Sequence, residues 1–170
     1  MAAPRLRPAL PGDAGLLARL NAALHAVHLR ERPDFFRAPR PAEVEEWFRC
    51  LLAKPSTRCW IAELDDRGAG CPRETSAVGY LLMTEHQRPE NVFCRERHWH
   101  EIDHIGVEEA VRGQGIGSAL LQTALAAAAQ TGTNDVELAS WSFNSAAHTL
   151  FQRSGFNPRL LRFDTRPLSR

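Results

Sequence analysis

Three groups of residues in this chain have types and spacings that could do chemistry. Gly113, Gly115 and Gly117 fall at alternate positions after an apolar-ended run that stops at Val107, and a helical pattern begins at Ser118. Glycines in such a turn let backbone N–H groups converge on one spot, and the first helical turn adds orphan donors and the positive end of a dipole. Together they make an anion site suited to phosphate. Just upstream, His100-Glu101-Ile102-Asp103-His104 spells H-E-x-x-H, in which two histidines one helical turn apart would hold zinc while the glutamate activates water. The same segment also supplies two carboxylates, Glu101 and Asp103, either of which could take a proton from a nucleophile.

The zinc chemistry requires a helix. On a strand, a four-residue separation spans about 13 Å, too far for two ligands each about 2 Å from one ion. Trp99, Ile102, Ile105 and Val107 favour a strand, Gly106 disfavours a helix, and a glycine-rich turn of this kind follows a strand. A zinc hydrolase is therefore a remote alternative, and no metal is expected.

Three phosphate-binding patterns compete for the glycine turn. A Walker loop needs Gly-Lys-Ser/Thr, and Ile116-Gly117-Ser118 lacks the lysine. A dinucleotide fingerprint G-x-G-x-x-G fails at its last position, Ser118, and the preceding strand carries Glu101 and Asp103 rather than a continuous apolar run. The third, R/Q-x-x-G-x-G/A, is met by Arg112, Gly115 and Gly117. Downstream, Asn144-Ser-Ala-Ala147-His-Thr-Leu-Phe151-Gln-Arg-Ser-Gly155-Phe156 matches N-x-x-A-x-x-L-Y-x-x-x-G-F except at Phe151. With both motifs in this order, the chain resembles the GNAT superfamily of acyl-CoA-dependent N-acyltransferases, firmly over residues 57–165 and more loosely before them.

The resemblance carries specific expectations. It implies that the turn holds the pyrophosphate of coenzyme A, which assigns Arg112, Gly113, Gln114, Gly115, Ile116, Gly117 and Ser118 to the cofactor. It implies that the preceding strand splays from its neighbour, so that pantetheine pairs with backbone at Ile105, Gly106 and Val107, and that Asn144, Ala147 and Phe151 of the second motif lie on the cofactor side. Glu101, six residues before Val107, stands where histone-type members have a catalytic glutamate, with Asp103 as the second choice of base. An ammonium with a pKa near 10.4 must lose a proton before it attacks, and a strand N–H such as that of Val107 can support the thioester oxygen as it gains charge. Where the family has a tyrosine to protonate the departing thiolate, this chain has Phe151; a thiol of pKa near 8.5 can leave unassisted, and water, Ser140 or Ser142 could donate. The lone Tyr80 lies on an earlier strand and receives no role.

The expected activity is acetyl transfer from acetyl-CoA to a primary amine of a small molecule or a peptide end. A catalytically degenerate acyl-CoA-binding module is the alternative, supported by Phe151.

Around these residues the chain must supply a scaffold. Its 170 residues, 44% hydrophobic and 24% charged, read as one domain over 1–170. A net charge of +1 gives no electrostatic case for nucleic acid or an anionic membrane, and no apolar run approaches a span. No signal peptide is legible, so a cytoplasmic location is expected; a homodimer is left open. Cys50, Cys59, Cys71 and Cys94 have no paired spacing and read as free thiols.

In order, residues 4–10 read as a strand, with Asp13 as N-cap of a helix from Ala14 whose buried stripe is Leu16, Leu17, Leu20, Leu24, Val27 and His28, with Arg19, Asn21 and His25 on its polar face. Phe35 and Phe36 in the next loop must cover something, either the core or an acceptor pocket. Pro41 opens a second helix with Val44, Trp47, Phe48, Leu51 and Leu52 inward. Thr57–Leu64 and Ala77–Thr84 read as a hairpin joined by residues 65–76, and Glu85–Arg97 as a solvated loop. After the motif strand, on which Glu101, Asp103, Ile105 and Val107 share a face unless the sides swap at a bulge, come an alanine-rich helix to Gly132, a strand over Asn134–Ser140, a helix capped by Asn144, a last strand near Leu160–Thr165 and a fraying tail from Arg166. The order β-α-α-β-β-β-α-β-α-β predicts a GNAT-like α/β fold: a mixed, mostly antiparallel central sheet flanked by helices.

Overall fold

A computed structural model describes residues 3–65, 75–133 and 135–165. Cys71, Asn134 and the segment from Arg166 lie outside the described residues, as does the whole connection 66–74 between the second and third strands. The elements are β1 (Arg5–Pro8), α1 (Ala14–Glu31), α2 (Pro41–Leu52), β2 (Thr57–Asp65), β3 (Thr75–Arg88), β4 (Arg97–Val107), α3 (Ile116–Ala129), β5 (Val136–Leu138) and α4 (Ser145–Arg153). The five strands form one sheet in the order β1-β2-β3-β4-β5, antiparallel except for the parallel β4–β5 pair.

Alternation along the strands divides the interior in two. Tyr80 and Leu82 of β3 join Ile61, Cys59, Leu17, Leu20 and Phe48 beneath α1 and α2. Leu81 and Met83, one residue out of phase, join Ile102, Ile116, Leu120, Leu121, Ala124 and Phe151 beneath α3 and α4. Burying such side chains stabilises by about 1.5–3 kcal/mol each, so these two layers hold the sheet in place. Small residues in α3 let it lie close: a Cβ on Gly117 would come within 2.9 Å of Leu150 Cδ2 on α4. Among the described residues no helix is long and apolar enough to cross a membrane.

Several local expectations are corrected. The Asp13 carboxylate does not cap α1; it accepts from the Leu10 amide at 2.7 Å and from Arg7 at 2.8 and 2.9 Å, because the intervening 3-10 turn aims it back at β1. Those bonds hold its carboxyl below the usual carboxylate range, the Arg7 bond foremost. Asn144 likewise makes no side-chain cap. Glu85–Arg88 extend β3 instead of opening a loop, since they pair with His100 back to Arg97. Residues 156–165 carry no regular structure, so the last strand is not formed, and Leu160, Leu161 and Phe163 are exposed. Cys50, Cys59 and Cys94 are free.

Asn21, assigned to the polar face of α1, is buried. Its Nδ2 donates to the Tyr80 hydroxyl at 2.8 Å, and that oxygen lies 3.1 Å from His104 Nδ1. Because Asn21 already donates to Tyr80, the phenol hydrogen is free to go to His104. Tyr80→Phe is expected to strand a buried amide donor and cost about 1–3 kcal/mol, read as a lower midpoint in urea unfolding; an unchanged midpoint would count against this chain of bonds.

Candidate functional site

The H-E-x-x-H segment lies in β4, so the zinc geometry is not formed. His100 is buried on the α3 face beside Ile102, while His104 lies against Trp47, Phe48 and Tyr80 on the α2 face. The two rings are on opposite sides of the sheet and cannot share an ion. Among the described residues no group of three or more His, Cys, Asp or Glu is arranged to hold a metal.

This arrangement arises from a bulge. Leu82 pairs with His104 and Met83 with Ile102, so Asp103 is an extra residue on β4. A bulge sends two consecutive side chains to one side and shifts the alternation beyond it. The expected common face of Glu101, Asp103, Ile105 and Val107 is therefore split. Ile105 and Val107 pack toward the α3 layer, whereas Glu101, Asp103 and His104 converge on a pocket beneath α2. Trp47 and Leu51 of α2, with Leu82 and Thr84 of β3, close that pocket, a cavity of about 240 Å³. Trp47, expected to face inward, is 44% exposed and stacks on the His104 ring at 5.3 Å, forming the rim.

Electrostatics distinguish the two carboxylates. Asp103 accepts from the Thr84 hydroxyl at 2.7 Å and is exposed. Glu101 is part-buried, and burial first, then the nearby charge of Asp103, pushes its carboxyl above the usual glutamate value. A carboxyl so raised is a better proton acceptor than an ordinary surface glutamate. Burial also lowers the pKa of His104, favouring the neutral ring that Tyr80 faces.

Next to the pocket the sheet opens. β4 and β5 pair only from His100↔Val136 to Ile102↔Leu138, and beyond that point β4 pairs with β3 alone. The Glu108 amide donates to Val78 on β3, so by antiparallel alternation the amides of Ile105 and Val107 face the unpaired edge, with Gly106 turned toward β3. The Val107 carbonyl accepts from Arg112 Nε at 3.1 Å, which ties the following turn to the end of the strand.

That turn leads into α3 at Ile116, two residues before the expected start at Ser118, with Gly115 as N-cap in the left-handed region at φ 83° and Gly113 at φ 79°. Among the described residues no backbone carbonyl accepts from the amides of residues 113–118; the first bond into α3 is from the Ala119 amide to the Gly115 carbonyl. A run of unspent donors at an exposed helix start is the donor set a diphosphate needs, so the residues present fit that group. On α4, Ala147 packs at the edge of the α3-side core, and Phe151 is buried in it with its ring 6.2 Å from Phe156.

The acetyltransferase (GNAT) family model matches residues 22–156. The chain belongs to this family. As a GNAT protein it is an acyltransferase, and its fold is shared with several solved structures. A tetramutant of the BH1408 protein from Bacillus halodurans is 21% identical, with 96% of this chain and 99% of that one covered at a TM-score of 0.85. A ribosomal-protein-alanine N-acetyltransferase from Brucella melitensis biovar Abortus is also 21% identical, over 96% and 99%, at 0.67. A predicted acetyltransferase from Clostridium acetobutylicum, solved with acetyl-CoA, is 16% identical over 95% and 96%, at 0.69. No curated protein sequence matches the acetyltransferase.

Phe35 and Phe36 are not among the residues that line the cavity beneath α2. They pack on Trp141, 5.2 and 5.4 Å away, and Phe36 on His28, so they join the end of α1 to the segment after β5. Sequence reasoning missed Trp47, Thr84 and His104 as pocket residues. Trp47 sits on the same α2 stripe as Phe48, but its opening onto a pocket depends on the bulge in β4.

Proposed function

We propose that the protein moves an acetyl group from acetyl-CoA to a primary amine. The observation that carries this is the loss of β4–β5 pairing after Ile102↔Leu138, between a pocket holding Glu101 and a turn of unspent amides. The amides of Gly113–Ser118 would hold the diphosphate, and Ile105 and Val107 would offer backbone partners to the pantetheine arm. Bound acetyl-CoA supplies the acyl group in activated, thioester form. Glu101 takes a proton from the bound ammonium, directly or through one water, and Asp103 lies further along the same pocket as the second candidate. The outward Val107 amide is placed to donate to an oxygen gaining negative charge at the open edge. Phe151 packs in the core and acts as support, so the departing thiolate takes its proton from water. The solved relatives support this reading through the acetyl-CoA bound to one and the N-acetyltransferase name of another.

A thiol-release assay with acetyl-CoA over a panel of primary amines tests it. Free thiol should appear in proportion to enzyme only when a reactive amine is present. Acetyl-CoA binding with no amine-dependent thiol would favour the degenerate-module alternative, whose one supporting feature is Phe151.

A further inference from the structure

The pocket beneath α2 carries one sign of charge. Glu101 and Asp103 supply carboxylates, and no arginine or lysine is among its lining residues. The nearby Arg97 is already engaged by Asp135 at 2.7 Å and Glu137 at 2.7 Å. His86 Nε2 stands 3.7 Å from Glu101, too far for a hydrogen bond, and its ring is stacked on Trp99. His104, the only histidine among the described lining residues, is held by the Tyr80 hydroxyl and by burial. Facing the carboxylates are Trp47, Leu51 and Leu82, which present rings and methyl groups but no hydrogen-bonding oxygen.

We propose that this pocket selects a primary alkyl- or aralkylamine whose amine-bearing carbon has no carboxylate, and rejects the corresponding free amino acids. The inference rests on the transferase reading for what happens to the amine, but the selection itself is a property of the pocket. An ammonium is attracted by Glu101 and Asp103, and its hydrocarbon body meets the Trp47 side. A carboxylate on the same carbon would sit a few ångströms from Glu101, with no arginine or lysine among the described lining residues to receive it. Like charges at such a separation in a half-buried site cost about ten- to a hundredfold in binding after solvent screening. An acceptor rich in hydroxyls would leave several of them unpaired against the apolar wall.

Matched pairs isolate the charge: 3-methylbutylamine against leucine, and 2-phenylethylamine against phenylalanine, with leucinamide as the control that keeps the bulk and removes the charge. Two readouts are taken on the full chain, kcat/KM for thiol release from acetyl-CoA, and calorimetric binding to the protein loaded with CoA. Each amine should exceed its amino acid by at least about tenfold in both, leucinamide should group with the amine, and Asp103→Asn should shrink the ratio several-fold. Equal values within each pair, or a preference for the amino acid, would overturn the inference while leaving the transferase reading intact. Leucinamide grouping with leucine and a ratio untouched by Asp103→Asn would make the exclusion steric, which also overturns it. Amines that bind at least tenfold tighter than amino acids yet release no thiol would support the selection and sink the transferase reading.

Discussion

Glu101→Gln is expected to lower turnover by about 10²- to 10⁴-fold and to leave acetyl-CoA affinity unchanged. The change keeps the size and packing of the side chain and removes only its capacity to accept a proton. The pH dependence follows from the direction of its shift. Burial and the Asp103 charge raise the Glu101 pKa, so the carboxylate that acts as base is present above that raised value and is lost as pH falls through it. Wild-type kcat/KM should therefore decline on the acid side at a pH above the ordinary glutamate value of 4.5, and the Gln variant should lack that limb. If Asp103→Asn produces this signature while Glu101→Gln is near wild type, the base sits at the bulge. Losses of less than about threefold in both would mean that the protein selects the neutral fraction of its amine and works through positioning and the Val107 amide.

Gly115→Glu is expected to abolish acetyl-CoA binding. Gly115 lies at φ 83°, where a side chain is strained, and it stands within the run of unspent amides, at the N-cap of α3. A Cβ there meets nothing within 4 Å, so the added side chain projects into open space rather than into the core, and the fold survives. A carboxylate at that point also repels the diphosphate. Calorimetry with acetyl-CoA should show no heat of binding, with a far-UV spectrum like wild type. A folded Gly115→Glu protein with unchanged affinity would remove the turn from the cofactor site.

What was legible in the chain was what local pattern controls. The 3.6-residue stripe of Leu17 and Leu20, the Pro41 helix start and the strand character of residues 98–107 all follow from neighbours in sequence, and so did the choice of strand over helix for His100 and His104. A bulge on this strand was an open possibility, but its place at Asp103 was not legible, because it exists only in the register of β4 against Leu82 and Met83. With it went the true face of Ile105, Val107 and His104, and hence the composition of the pocket. The Asn21–Tyr80–His104 contacts were hidden for the same reason: they join residues 59 and 24 positions apart, and nothing local marks Asn21 as buried. Leu160–Thr165 has strand-forming residues, but β5 is only three residues long and no described strand lies beyond it to be joined.

In the proposed reaction, acetyl leaves CoA and arrives on an amine in a step that depends on Glu101. The direct measurement incubates the protein with acetyl-CoA carrying an isotopically labelled acetyl group and with 2-phenylethylamine, and follows free CoA and labelled N-acetyl product together by mass spectrometry. One labelled amide is expected for each CoA released, with loss of both in Glu101→Gln. Free CoA accumulating with labelled acetate and no amide, or amide formed equally fast by the Gln variant, would contradict it.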